Sequence, residues 1–243
     1  SSIYLKQGEK IKMEDLLYGL MLASGNDAAV AMAEFISGSE PAFVEQMNKR
    51  AEALGCLNTH FINCNGLDET EEHYSSAKDI AIISRELLKH TKILDYTTIW
   101  MDSLRNGESE LVNTNKLVRF YEGTTGLKTG TTAKAGCCIS ASAKRDGLHL
   151  VAVVMGSANS NERFETAKAM LNWGFSNYEL VDLKINETAF NPVEILGGES
   201  DSVKPYVKEN TKLLIKKGEA EKLEQVVTLS ENVEAPVTDN QKL

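Results

Sequence analysis

From Lys12 onward the chain places Met13, Leu16, Leu17 and Leu20 three and four residues apart, the period of an amphipathic helix. Ser24-Gly25-Asn26 interrupts that pattern, and a second helix restarts at Asp27 with Ala29, Val30, Ala33 and Phe35. A third is predicted from near Pro41, a residue suited to a first helical turn, to Gly55, suited to the position just past a helix end. A fourth covers about Ser76 to His90, with Ile80, Ile83 and Leu87 on one side. Ahead of them all, Ser2-Ile3-Tyr4-Leu5 reads as a strand.

The period then changes. From Gly126 the text reads strand, turn, strand, turn, strand. Cys138, Ser140 and Ser142 alternate with Cys137, Ile139 and Ala141, and Asp146-Gly147 is a hairpin turn before the apolar run Leu148 to Met155. Asn161 to Phe175 returns to helical spacing, with Phe164, Ala167, Met170 and Leu171 as its stripe. Beyond Tyr178, short strand-like pieces (Leu180 to Leu183, Lys212 to Ile215, Gln225 to Leu229) sit between polar turns. The expectation is an α/β (α+β) domain over residues 1–177, helices packed on an antiparallel sheet, followed by a smaller β-rich domain over 178–243. The first residue is Ser1 rather than Met, so the chain is expected to start mid-fold, with any export signal upstream.

Composition narrows the function classes. A formal net charge of -9 disfavours a nucleic-acid partner, which needs a basic surface. No apolar run reaches the roughly 18 residues of a membrane-spanning helix. The four cysteines make no metal-ligand spacing. Cys137 and Cys138 should point to opposite faces of a strand, and Cys56 and Cys64 either close a loop or, like the others, pack as small residues. His60, His73, His90 and His149 share no metal-binding spacing. Asp68-Glu69-Thr70-Glu71-Glu72 reads as a solvated loop.

Two short motifs carry chemistry. Ser24-Gly25-Asn26 lies between two helices, and Lys128-Thr129-Gly130 heads the predicted sheet. Either alone is an ordinary turn or a chance triplet. Together, in this order, they resemble the second and third signatures of active-site serine penicillin-recognising enzymes, S-x-N and K-T-G. The stretch Leu22 to Ala33, with Asn58-Thr59-His60-Phe61, His73-Tyr74-Ser75-Ser76-Ala77 and Asn113-Thr114-Asn115, closely resembles D-alanyl-D-alanine carboxypeptidases of low molecular mass.

That resemblance implies roles. Ser24 would place a hydroxyl where a proton passes between the nucleophile's lysine and the leaving amine. The Asn26 amide would donate to a substrate carbonyl and accept from an ammonium. Lys128 and Thr129 would hold the free carboxylate of a terminal D-alanine, and Gly130 would let backbone and substrate approach closely. The Thr131 N–H would supply half of an oxyanion hole. Arg163, at the start of the following helix, is either solvated or, by resemblance, a second carboxylate contact.

These residues are expected to converge on one cleft. The partners implied are a peptidoglycan stem peptide ending in D-Ala-D-Ala and β-lactam antibiotics, with no cofactor, in an exported protein that meets the membrane only through segments outside this chain. Ser75-Ser76-Ala77-Lys78 satisfies S-x-x-K literally but follows the S-x-N motif instead of preceding it. Ser76, with Asp79 three residues on, fits a helix cap. The nucleophile is therefore expected upstream of Ser24, in residues this chain lacks. A β-lactamase uses the same motifs without a trailing β-rich domain, and a non-catalytic wall-binding relative would also fit a chain without a nucleophile.

Overall fold

The computed structural model describes residues 1–67, 70–183, 190–207 and 212–242. They form two compact units, Ser1–Phe175 and Ser176–Leu243.

In the first unit the helical periods are realised with their punctuation. α1 (Met13–Met21) buries Leu16 and Met21, and α2 (Asn26–Ser37) stops at Gly38, whose φ of 79° closes the helix in the left-handed region. α3 (Glu40–Ala53) begins where the Ser39 hydroxyl accepts the Ala42 N–H. α4 (Ala77–Leu88) begins the same way, with Ser76 Oγ accepting from the Asp79 N–H at 3.1 Å. After α5 (Leu94–Thr97) comes an unexpected hairpin, β1 (Met101–Leu104) against β2 (Ser109–Val112), then the single turn α6 (Leu117–Phe120).

The sheet is β3 (Thr124–Thr132), β4 (Gly136–Arg145) and β5 (Leu148–Ser157), antiparallel and in that spatial order. Asp146 and Gly147, at φ 49° and 81°, make the tight turn between β4 and β5. Register sets Lys128 opposite Ser140 and Gly130 opposite Cys138. Alternation then sorts the faces. Ile139, Ala141, Ala143, Ala152 and Val154 pack with Phe164, Ala167 and Leu171 of α7 (Ser160–Asn177), forming one core. Ser140 and Ser142 turn the other way, where Ser140 bonds Ser84 of α4 at 2.7 Å. A second core joins Ile3, Leu16, Met21, Leu22 and Ala28 to Leu104 and Leu111.

Ser2-Ile3-Tyr4-Leu5 is not a strand. One carboxylate, Asp27, accepts from the Ser2 hydroxyl and from the N–H groups of Ile3 and Leu5, and Tyr4 adopts φ 59°, which breaks extended pleating. All four cysteines are free, so Cys56 and Cys64 close no loop.

The second unit is β-rich. β6 (Tyr178–Asp182) pairs antiparallel with β9 (Lys212–Lys216), and β7 (Val193–Leu196) pairs with β8 (Ser202–Val203) and, in parallel, with β10 (Asn232–Glu234). Gln225 to Leu229, expected as a strand, is irregular. Val226 there is 83% exposed, so burial gives that segment no reason to pair. Asp68 and Glu69 of the acidic loop lie outside the described residues, whereas Glu71 is solvated and pairs with Lys134 at 2.6 Å.

Candidate active site

Ser24 lies where α1 has ended and α2 has not begun. Its φ of 59° puts a residue other than glycine in the left-handed region, a conformation that persists only when its surroundings impose it. They do so here. Leu22 N–H closes α1 on the Tyr18 carbonyl at 2.9 Å, Gly25 N–H reaches the Gly19 carbonyl at 3.0 Å, and Asn26 N–H donates to the Ser1 carbonyl at 2.9 Å. The second motif position is tightly packed. A Cβ on Gly25 would stand 3.1 Å from Asp27 Oδ1 and 3.2 Å from an Ile3 methyl.

The other half of the site is β3, the edge strand of its sheet, so alternate backbone groups along it face away from β4. Lys128 Nζ donates to Ser24 Oγ at 2.7 Å and to the Thr129 carbonyl at 3.0 Å. Burial, with a smaller contribution from the like charge of Arg163, brings the Lys128 ammonium down to about 8. An amine so poised, bonded to a hydroxyl, can pass a proton at neutral pH.

Thr129 is buried and donates its hydroxyl proton to Thr114 Oγ1 at 2.7 Å. Gly130 differs from Gly25. A Cβ there would meet nothing within 4 Å, and its φ is not positive, so neither packing nor backbone geometry calls for glycine. A cleft of about 700 Å³ opens at Lys128, Thr129 and Gly130, with His73, Tyr74 and Ser75 on its wall.

Arg163 is neither solvated nor free. It is 6% exposed, and Nη1 donates to the Gly130 carbonyl at 3.0 Å, Thr131 Oγ1 at 3.0 Å and the Cys138 carbonyl at 3.2 Å. Nη2 donates to Ser160 Oγ at 3.1 Å, and the guanidinium lies over the Phe164 ring. It therefore braces the strand that carries Lys128-Thr129-Gly130.

The structure joins Ser24, Lys128 and Thr129, and ties Gly130 and Thr131 to Arg163. Asn26 stands beside Ser24 in sequence, but among the described residues its side-chain amide bonds neither Ser24 nor Lys128. Ser75 and Ser76 form no nucleophile–lysine pair. Ser76 caps α4, Ser75 Oγ shares a proton with Thr59 Oγ1 at 2.9 Å, and Lys78 is exposed. Among the described residues, no three metal-ligating side chains come together. Thr114 carries no motif of its own; Asn113-Thr114-Asn115 marked it by resemblance without giving it a task.

Residues 1–159 match the family described as D-alanyl-D-alanine carboxypeptidase, and residues 178–243 match the penicillin-binding protein 5 C-terminal domain. The chain is 42% identical to D-alanyl-D-alanine carboxypeptidase DacF of Bacillus subtilis, covering 100% of this chain and 63% of that one. It is 37% identical to DacA of Escherichia coli, covering 99% of this chain and 60% of the relative. The chain thus spans less than two thirds of the length of these relatives. Penicillin binding protein 5 from Haemophilus influenzae superposes with a TM-score of 0.81 at 31% identity, over 99% of this chain and 70% of that one. Two motifs met across 104 residues of sequence, inside a unit that matches along its length, have one account: the chain belongs to the D-alanyl-D-alanine carboxypeptidase family.

Proposed function

We propose that the protein is a serine-type D-alanyl-D-alanine carboxypeptidase that trims terminal D-alanine from peptidoglycan stem peptides and is acylated by β-lactams. The contact that carries this reading is Lys128 Nζ to Ser24 Oγ at 2.7 Å, with Thr129 beside it. A serine of an S-x-x-K segment preceding Ser24, outside these residues, attacks the carbonyl carbon of the penultimate D-alanine. Its proton goes to the partner lysine and passes by way of Ser24 to the departing amine. The C–N bond breaks, D-alanine leaves, and water then hydrolyses the ester.

Lys128 and Thr129 hold the free carboxylate, the Thr131 N–H supports the oxyanion, and Asn26 turns its free amide to the substrate. Arg163, its Nη1 engaged on β3 and β4, acts on the carboxylate through Gly130 and Thr131 instead of by the direct contact expected from the sequence. Peptidoglycan lies outside the cytoplasm, so the intact protein is exported. Among the described residues no helix is long and apolar enough to cross a membrane, and any attachment uses segments outside this chain. The match of residues 178–243 to a penicillin-binding protein domain disfavours a β-lactamase.

The test is the full-length protein with a peptide ending in D-Ala-D-Ala, followed by D-alanine release, and with a labelled penicillin, followed by mass. Release and a one-to-one adduct on a serine preceding Ser24 are expected. If the full-length protein gives neither D-alanine release nor an adduct, the reading is refuted.

A further inference from the structure

Thr114 lies on neither motif, yet it touches both halves of the site. Its N–H donates to the Leu22 carbonyl at 3.0 Å, two residues before Ser24. Its Oγ1 receives the Thr129 proton at 2.7 Å. With Lys128 Nζ on Ser24 Oγ, these contacts close a ring: Leu22, Thr114, Thr129, Lys128, Ser24 and back. The loop that holds Thr114 is itself fixed. Asn113 donates from Nδ2 to the Ile99 carbonyl at 2.8 Å and accepts the Asn115 N–H at 2.8 Å, while Asn115 Oδ1 accepts the Leu117 N–H. Asn113 and Asn115 are both buried, so Thr114 is presented from a rigid base.

The direction of the Thr129–Thr114 bond matters. Thr129 has one hydroxyl proton, and it points at Thr114. A carboxylate accepts and cannot donate, so Thr129 can hold it only by turning that proton away. Its oxygen then needs a donor. Among the described residues the Thr114 hydroxyl proton has no acceptor, so a small turn of the Thr114 side chain can bring it onto Thr129 Oγ1 as the Thr129 proton leaves.

We propose that Thr114 is a positioning residue for carboxylate recognition. It fixes the Thr129 rotamer in the free site and, when a carboxylate arrives, reverses the shared hydrogen bond so that Thr129 becomes the carboxylate's donor. No covalent bond changes; the Thr114 side chain turns slightly and two hydroxyl protons rotate. This rests on the carboxypeptidase reading above and assigns within it a residue that neither motif contains.

The test uses the full-length enzyme with Thr114→Val, which keeps the shape and the backbone bond to Leu22 but lacks the hydroxyl, and Thr114→Ser, which restores it. Two peptides are compared, one with a free and one with an amidated C-terminus. Thr114→Val is expected to lower kcat/KM on the free-carboxylate peptide by roughly 3- to 10-fold, the size of one hydrogen bond, mainly through KM. The amidated peptide should be unaffected by the change, and Thr114→Ser should lie within about two-fold of wild type. On a Thr129→Val background the same substitution should add nothing, because its effect runs through Thr129. Should valine destabilise the loop, Thr114→Ala is judged by the same comparison. An active wild type with an unaffected Thr114→Val, or an equal loss on both peptides, overturns this inference alone. An inert wild type overturns the carboxypeptidase reading as well.

Discussion

The Lys128 ammonium donates to the Ser24 hydroxyl at 2.7 Å although 104 residues separate them. Ser24 extends from one core, through Leu22, and Lys128 from the other, through the sheet under α7. The site is thus a seam between two packed bodies of the first unit. Its geometry depends on how both are fastened, by Thr114 on one side and by Asp27 and the N-terminal segment on the other.

A buried cation with a pKa of about 8 gives activity an alkaline limit. In the role proposed for it, Lys128 would hold the carboxylate while charged, below about 8, and lose that hold above it. In the full-length enzyme kcat/KM on a free-carboxylate peptide should fall from about pH 8 upward. Arg163→Met removes the nearby positive charge and should move that limb to higher pH, whereas Arg163→Lys keeps the charge and should leave it in place. A pH–rate profile that does not move with Arg163→Met contradicts the assignment.

The 243-residue chain alone should form no stable penicillin adduct. Ser76 spends its lone pair on the α4 cap, Ser75 faces Thr59, and Lys78 points to solvent, so the one literal S-x-x-K tetrad has no serine–lysine pair. Mass measurement after incubation with a labelled penicillin checks this; a stoichiometric adduct on Ser75 or Ser76 would contradict it.

Much of this was legible in the sequence because it is local. The helices carry their own period, and Ser39, Ser76 and Gly38 end them with side-chain or left-handed caps. The motif order found Ser24, Lys128 and Thr129. What was not legible depends on distant partners. Ser2 to Leu5 looked like a strand because nothing local shows that Asp27 takes its N–H groups. The β1–β2 hairpin turns on Arg105, Asn106 and Gly107 at φ 54°, 57° and 97°; its Asn-Gly pair is a turn signal, but the short flanking strands carry no clear alternation to frame it. Arg163 looked solvated or substrate-facing, and only the register of β3 on β4 reveals the acceptors that bury it.

Two carboxylates should govern stability in acid. Burial pushes the Asp79 carboxyl up, but the Asn58 N–H, the Thr59 hydroxyl and Ser76 outweigh it and hold the group below its ordinary range. In Asp27 burial likewise raises, and the Ser2 hydroxyl and the N–H groups of Leu5, Ile3 and Ala28 lower by more. A depressed carboxylate stabilises above its unfolded value, near 3.9, and that contribution is lost as pH falls through the folded value. Asp79→Asn and Asp27→Asn should each lower Tm by several degrees at about pH 7. The gap from wild type should narrow towards about pH 3. A gap that stays constant with pH would show that these carboxylates do not act through their charge.

Gly130 and Gly126 lie four residues apart on β3 and should respond to alanine in opposite ways. Gly126 has φ 133°, and a Cβ there would stand 2.7 Å from Thr97 Cβ, so Gly126→Ala strains the backbone and collides with a buried side chain. It should cost stability outright, with Tm falling by several degrees or more. At Gly130 an added Cβ meets nothing within 4 Å and no positive φ opposes it. Gly130→Ala should therefore leave Tm unchanged or slightly raised, since alanine narrows the unfolded ensemble. The space that the methyl enters is the cleft itself, beside Lys128 and Thr129. If substrate or a β-lactam lies along this edge strand, that methyl sits where the ligand backbone must pass. Penicillin acylation of the full-length enzyme should then slow by roughly 10-fold or more, the effect of losing about 1.4 kcal/mol at the transition state. The pair of measurements separates fold from function. A Gly130→Ala variant that keeps both its Tm and its acylation rate would mean that ligands do not approach β3 at this point.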